Sequence, residues 1–324
     1  MALPETLSGR LRLPLIAAPM FRVSGPELVI AACRAGVIGA FPTANCRSAG
    51  ELDEWLNRMR RELSSEDAPF CPNLIIRHQA MPEQLEVLVR HKVELVITSV
   101  GSPAEVVEPL HSVGCRVLAD VASLKHAHRA LEAGADGLIL LSAGAGGQTG
   151  WANGFAFARA VRQFHDGPLV LAGGISDGHA LLAAQVLGCD LAYMGTRFIA
   201  TRESLAEPDY KQMLVDCGLD DVLLSDAFTG LPANMLRPSV EAAGLDPANL
   251  PRGLGADGAT RLYGLAGQHA RRWQDIWSAG HSVSGVQAIR SVADLVDELC
   301  HQYADARQTA PAKASALRRP KTPG

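Results

Sequence analysis

The chain lacks an excess of positive charge. Its 30 lysines and arginines stand against 34 aspartates and glutamates, a formal net charge of −4, which leaves no basic field for wrapping nucleic acid. The one basic cluster, Arg318, Arg319 and Lys321, lies at the very end of the chain. Cysteines are odd in number and scattered (Cys33, Cys46, Cys71, Cys115, Cys189, Cys217 and Cys300), without a CxxC pair or another metal-ligand spacing. That pattern excludes a disulfide framework and a structural zinc site, and predicts reduced, mostly buried thiols with no bound metal. No segment reaches the roughly 18 consecutive apolar residues of a membrane span, and the opening MALPETLSGRLRLPLIAAPM lacks the apolar run of a signal peptide. A cytoplasmic protein is expected, with neither membrane nor nucleic acid as partner. Its oligomeric state is left open, a homo-oligomer included.

What is present is ample apolar material: 48% hydrophobic and 20% charged residues over 324 positions, enough for a full core without covalent staples. Short apolar runs recur at 15–19, 37–41, 73–76, 94–98, 116–120, 136–141, 168–172 and 191–195, separated by amphipathic helical stretches. Strands alternating with helices imply parallel βα units, and nearly continuous apolar character implies strands covered on both faces. Eight units predict a closed (β/α)₈ TIM barrel, a fold that takes about 250 residues. Ser24-Gly-Pro-Glu27, Ser48-Ala-Gly-Glu51 and Ser102-Pro-Ala-Glu105 match the S-x-x-E capping box. Gly36, Gly114, Gly134 and Gly188 stand between a helical segment and the next strand, where a left-handed residue is cheapest as glycine. The expected organisation is a barrel core over 1–204, an inserted cap or lid rich in Pro, Gly and Asp over 205–270, a closing segment over 271–304, and a disordered tail over 305–324.

In such a barrel the active site forms at the C-terminal strand ends. After the seventh run stand Gly173 and Gly174, and at the end of the eighth Met194, Gly195 and Thr196. Glycines at both places let backbone N–H groups approach an anion, and a helix starting near Asp177 would add its positive dipole end. Paired glycines also simply make a tight turn. The sixth run leads into a loop holding Gly146 and Gly147, dense enough in glycine to pass close to something flat or charged. Ala18, Pro19 and Met20 end the first run, where a thioether can line a planar ring or fill the core. Asn73 must satisfy donor and acceptor if buried, through a ligand or as a turn cap. Asp120 and Ser123 flank the end of the fifth run, as turn residue and helix cap or as groups at the site mouth.

Taken in order, Pro14 to Met20, Pro72-Asn73-Leu74, Ala133-Gly-Ala-Asp-Gly137, Ala145-Gly146-Gly147-x-x-Gly150, Ala172-Gly173-Gly174-Ile175 and Met194-Gly195-Thr196-Arg197-Phe198 resemble the nitronate monooxygenase (2-nitropropane dioxygenase) family. The resemblance covers roughly residues 10–204, with an echo in Trp277-Ser-Ala-Gly280. It implies non-covalent FMN contacted by Asn73, Gly146, Gly174 and the stretch Tyr193 to Thr196. It further implies an oxidoreductase taking a small-molecule substrate, a nitronate or similar carbanion, with dioxygen. Two positions depart from the family pattern. Its usual catalytic histidine is here Gln148, and the glutamine it often carries near the end of strand six is here Leu141. A carboxamide accepts no proton at useful pH, which closes any step needing a base there, although it still donates a hydrogen bond. His281, brought to the flavin side by the same resemblance, is the substitute imidazole to examine. An NAD(P)H-dependent flavin reductase acting on quinones or enoyl thioesters, or a flavin-binding protein with altered chemistry, is the alternative.

Overall fold

Strand residues that alternate between two apolar surroundings are what close this fold. In a computed structural model of the chain, which describes residues 5–228, 230–250 and 276–315, every one of the eight runs forms a strand: β1 (Leu15–Ala17), β2 (Ile38–Pro42), β3 (Phe70–Ile75), β4 (Leu95–Ser99), β5 (Arg116–Val121), β6 (Gly137–Leu141), β8 (Leu169–Ala172) and β9 (Leu191–Met194). They pair in parallel in that order, and β9 returns to β1 to close the barrel. A two-residue β7 (Gly147–Gln148) lies outside it. Ile16, Ile38, Cys71, Ile97, Leu118, Ile139, Val170 and Leu191 fill the barrel interior. Residues at odd spacing from these, such as Leu15, Leu74, Val96, Val117, Leu138 and Leu171, pack outward against the helices. Each strand is therefore apolar on both faces, the reason its sequence reads as a run and not as an alternation.

Helix punctuation held at every C-terminal glycine and at one of the three capping boxes. Gly36, Gly114, Gly134 and Gly188 all adopt positive φ, between 80° and 96°, just past a helix. Of the three capping boxes, Ser48 caps helix Ala49–Glu62 by accepting from Glu51 N. The helices Pro26–Arg34 and Ala104–His111 instead start at Gly25 and Pro103, neither of which caps by its side chain, although Ser102 Oγ still accepts from Ala104 N at 3.4 Å. Ser24 is fully buried, where its hydroxyl accepts from Met20 N and donates to Ala18 O. The proline of each motif explains the shift: it presets the first helical turn and supplies no N–H to cap.

The stretch after β9 is tied to the barrel through a loop. β10 (Val222–Ser225) and β11 (Ala233–Leu236) form an antiparallel sheet whose third strand is β7, in the order β10-β11-β7. Asn234 Nδ2 donates to Ala145 O at 2.8 Å and Thr149 N to Pro232 O at 3.0 Å, fixing the same loop. Residues 251–270 of the expected cap lie outside the described residues. The last helix, Val292–Ser315, packs against helices Gly178–Val186 and Pro26–Arg34 and so bridges the two ends of the helical ring. It runs past 304, so the first part of the expected disordered tail is helical here, continuing the turns that pack on the barrel. Among the described residues no helix is long and apolar enough to cross a membrane. All seven cysteines are free, and all but the half-buried Cys300 are buried.

Candidate active site

A cavity of about 290 Å³ opens at the C-terminal mouth of the barrel. Twelve of the expected residues line it: Ala18, Pro19, Met20, Asn73, Gly146, Gly147, Gln148, Gly173, Gly174, Tyr193, Gly195 and Thr196. Two do not. Met194 is 1% exposed and points outward into the core between sheet and helices, as the strand's alternation requires once Tyr193 faces in. His281 is exposed, its N–H bonded to Gly144 O at 2.9 Å. Its ring lies so close over Gly144 that a Cβ there would sit 2.7 Å from Nδ1.

One wall of the cavity is built from backbone. Gly173 and Gly174 have φ of 113° and 75°, left-handed geometry that favours glycine. A Cβ on Gly173 would approach Ser142 Oγ to 2.5 Å, whereas one on Gly174 would meet only open space. Gly195, at φ −106°, adopts a conformation open to any residue, and a Cβ there would make ordinary contact with Met20. Among the described residues the N–H groups of Gly174, Ile175, Gly195 and Thr196 donate to no acceptor. Four unsatisfied donors around one concavity are the signature of an anion nest. Helix Gly178–Val186 adds little to it, against expectation: Asp177 takes the Ala180 N–H at 2.8 Å and Gln302 takes that of Gly178 at 3.1 Å. Two of its first three N–H groups are thereby already taken. The buried Arg197 holds the turn from beneath, donating to Ser176 O at 2.8 Å and pairing with Glu298 at 3.2 Å.

The opposite wall carries side chains. Gln148 sits on β7, and its backbone pairs with Ala233, so the cap region fixes the residue that stands in the histidine position. Asn73 lies within β3, buried, with Nδ2 donating to Ile97 O at 3.3 Å and Ser99 Oγ at 3.1 Å. The barrel takes both amide hydrogens and one lone pair of Oδ1, and the place within a strand rules out the turn-cap reading. Asp120, at the end of β5, also lines the cavity. Burial pushes its carboxyl up to about 7, and its Oδ1 is sealed from solvent without a hydrogen-bond partner. Burial also drives Tyr193 well above its usual value, helped by the charges of Asp120 and Cys71. Ser123, by contrast, is the helix cap, accepting from His126 N at 3.1 Å.

Among the other lining residues, Tyr210, Arg22 and Val100 carried no signal in the sequence, and Trp277 stood there only in the echo of the family's motifs. Tyr210 and Trp277, about 67 positions apart in sequence, stack with ring centroids 5.1 Å apart and planes 11° from parallel. Tyr210 donates its hydroxyl to Ser278 O. Arg22 and Val100, at the rim, have φ of 61° and 54°. For a β-branched residue such a conformation is an outlier, of the kind that concentrates at binding sites.

A barrel with an anion nest after its last two strands, and a glycine loop opposite, is common to many enzymes, so the chain's relatives decide among them. The nitronate monooxygenase family profile matches residues 77–302. The chain belongs to the nitronate monooxygenase family. It is thus an enzyme, an oxidoreductase of that family, and the resemblance read from its motifs holds. A nitronate monooxygenase of Paraburkholderia phytofirmans is 26% identical, covering 72% of this chain and 76% of its own. A (3aS,4S,5R,7aS)-5-hydroxy-7a-methyl-1-oxo-octahydro-1H-indene-4-carboxyl-CoA dehydrogenase of Rhodococcus jostii is 27% identical over 88% of each chain. Among solved structures, a nitroalkane oxidase from Streptomyces ansochromogenes superposes with a TM-score of 0.79 at 26% identity, over 94% of this chain and 99% of its own. FabK from Thermotoga maritima reaches 0.80 at 23% identity, over 95% and 98%, a likeness of fold.

Proposed function

We propose that this family member is an FMN-dependent oxidoreductase whose substrates arrive already as stabilised carbanions, nitronates first among them, with dioxygen as acceptor. The observation that carries the reading is a cavity with an anion nest but, among the described residues, no lining imidazole. The residues fit the phosphate end of FMN. The four free N–H groups suit its oxygens, and the open space beside Gly174 is where a Cβ would intrude. Asn73, Gly146, Gly147, Gly173 and Tyr193, with Ala18, Pro19 and Met20, would hold the rest. Bound there, the flavin supplies the two-electron acceptor.

The chain's own contribution is binding and charge placement. Gln148 cannot take a proton from a neutral nitroalkane, but its amide can donate to an oxygen bearing negative charge. An anionic nitronate requires no base, so the loss of imidazole at 148 narrows the substrate to the ionised form. His281 stays in reserve as the base only if its ring turns into the cavity. Purified protein should show flavin absorbance and consume oxygen with nitronates in preference to the parent nitroalkanes. Protein that binds no FMN, or that turns over neither form, would refute the proposal.

A second reading has one specific support: the indene-carboxyl-CoA dehydrogenase of R. jostii matches over more of both chains than the nitronate monooxygenase of P. phytofirmans does. On that reading the substrate is an acyl thioester. Anaerobic bleaching of the flavin by a hydroxyacyl-CoA but not by nitronates would favour it.

A further inference from the structure

Among the described residues, the other carboxylates that the fold draws away from solvent are paired. Asp190 takes Arg162 Nη2 at 2.7 Å and Leu169 N at 3.0 Å, and Asp136 takes His111 Nε2 at 2.9 Å and Val117 N at 2.7 Å. Asp120 is the exception. It is half-buried by area because the carboxylate looks into the cavity, yet its Oδ1 is sealed and bonded to nothing among the described residues.

Its neighbours leave it so. On β4 and β3 the nearest polar groups are Ser99 and Asn73, and they spend themselves on each other: Ser99 Oγ donates to Asn73 Oδ1 at 3.3 Å, and Asn73 Nδ2 donates back at 3.1 Å. β6 presents Ile139 and Leu141. The titratable groups that face Asp120 are Cys71 on β3 and Tyr193 on β9, both held in their neutral forms first of all by burial. No cation contributes, because burial alone accounts for the upward shift of this carboxyl.

An ionised carboxylate in such a place is costly, and the group neutralises instead. Neutral, it carries one O–H donor that needs an acceptor. The barrel supplies none, so the acceptor has to come from what fills the cavity. We propose that Asp120 is a protonated positioning group for the bound flavin, donating one hydrogen bond from the barrel floor to an acceptor on the ring, so that cofactor affinity follows the ionisation of this carboxyl. The assignment rests on the FMN reading above. A flavin ring fits the requirement because its pyrimidine edge carries carbonyl and imino acceptors, whereas the phosphate belongs at the nest. It also gives a chemical role to a residue that the glycine motifs leave untouched.

The test is FMN affinity, by fluorescence titration of apoprotein from pH 5.5 to 8.5, in wild type, Asp120→Asn and Asp120→Ala. Wild type should lose about tenfold in affinity as pH rises through 7, the worth of one buried hydrogen bond. Asp120→Asn keeps a neutral donor and should hold the low-pH affinity throughout. Asp120→Ala should be equally flat in its difference profile but about tenfold weaker, also by the loss of that bond. Titration of the FMN phosphate is common to all three and cancels. Identical pH profiles in wild type and Asp120→Asn, or equal affinities of the two variants, would overturn this assignment while leaving the flavin reading intact. Wild-type protein that takes up no FMN at any pH overturns both.

Discussion

Replacing Asp120 by asparagine should change how the apoprotein's stability depends on pH, whatever the cavity binds. In the folded chain the carboxyl titrates at about 7, against 3.8 for the exposed group. Between those values the folded state holds a proton that the unfolded chain has released. By linkage, stability from this group is fully present below the unfolded value and drains away as pH rises through the folded one. A shift of that size, at about 1.4 kcal/mol per unit, gives a total near 4 kcal/mol. Of this, about 2–3 kcal/mol falls between pH 5 and pH 8. Asparagine has no proton to lose. The difference in unfolding free energy between variant and wild type should therefore move by about 2–3 kcal/mol in favour of the variant over that interval. In thermal unfolding this is a Tm gap growing by roughly 5 °C. Urea denaturation of FMN-free protein at four pH values measures it, and all other titrating groups cancel because both proteins share them. A difference that stays constant from pH 5 to 8 would mean that the carboxyl is solvated or paired, and the desolvation argument would fail.

Three further outcomes are expected. Gln148→His should raise kcat/KM for a neutral nitroalkane relative to its nitronate by about 10²–10⁴-fold, the usual span of general-base catalysis; an unchanged ratio at matched FMN occupancy would show that position 148 is not where the proton is taken. Gly174→Val places a branched side chain at φ 75° in the open cavity, so FMN affinity should drop at least tenfold, about 1.4 kcal/mol, whereas Gly195→Ala, at φ −106°, should bind nearly as wild type. Arg162→Ala takes the guanidinium, 2.7 Å away, from the buried carboxylate of Asp190, and chemical denaturation should show a loss of about 3–5 kcal/mol.

The barrel was legible in the sequence because its causes are local or periodic. Apolar runs at regular spacing must be covered on both faces, and a chain with eight of them in βα alternation has few ways other than closure to cover them. Gly36, Gly114, Gly134 and Gly188 could be placed because a left-handed residue after a helix is a property of one residue's backbone. Gly173 and Gly174 announced the anion nest for the same reason. Capping boxes were less readable, since Ser24 could either cap a helix or satisfy two backbone groups of the first loop, and the fold chose the second. What the tertiary structure alone decided is what stands across the cavity from what. Gln148 is held by β11, more than 80 residues later in the chain. Tyr210 meets Trp277 over a similar gap. Asp120 looks in sequence like any strand-end aspartate, and only the closed barrel seals its Oδ1 from water, turns Asn73 and Ser99 toward each other, and leaves the carboxyl without a partner among the described residues. Local sequence fixes backbone conformation and the face a side chain takes; desolvation and pairing are sums over neighbours that the chain brings together only when it folds.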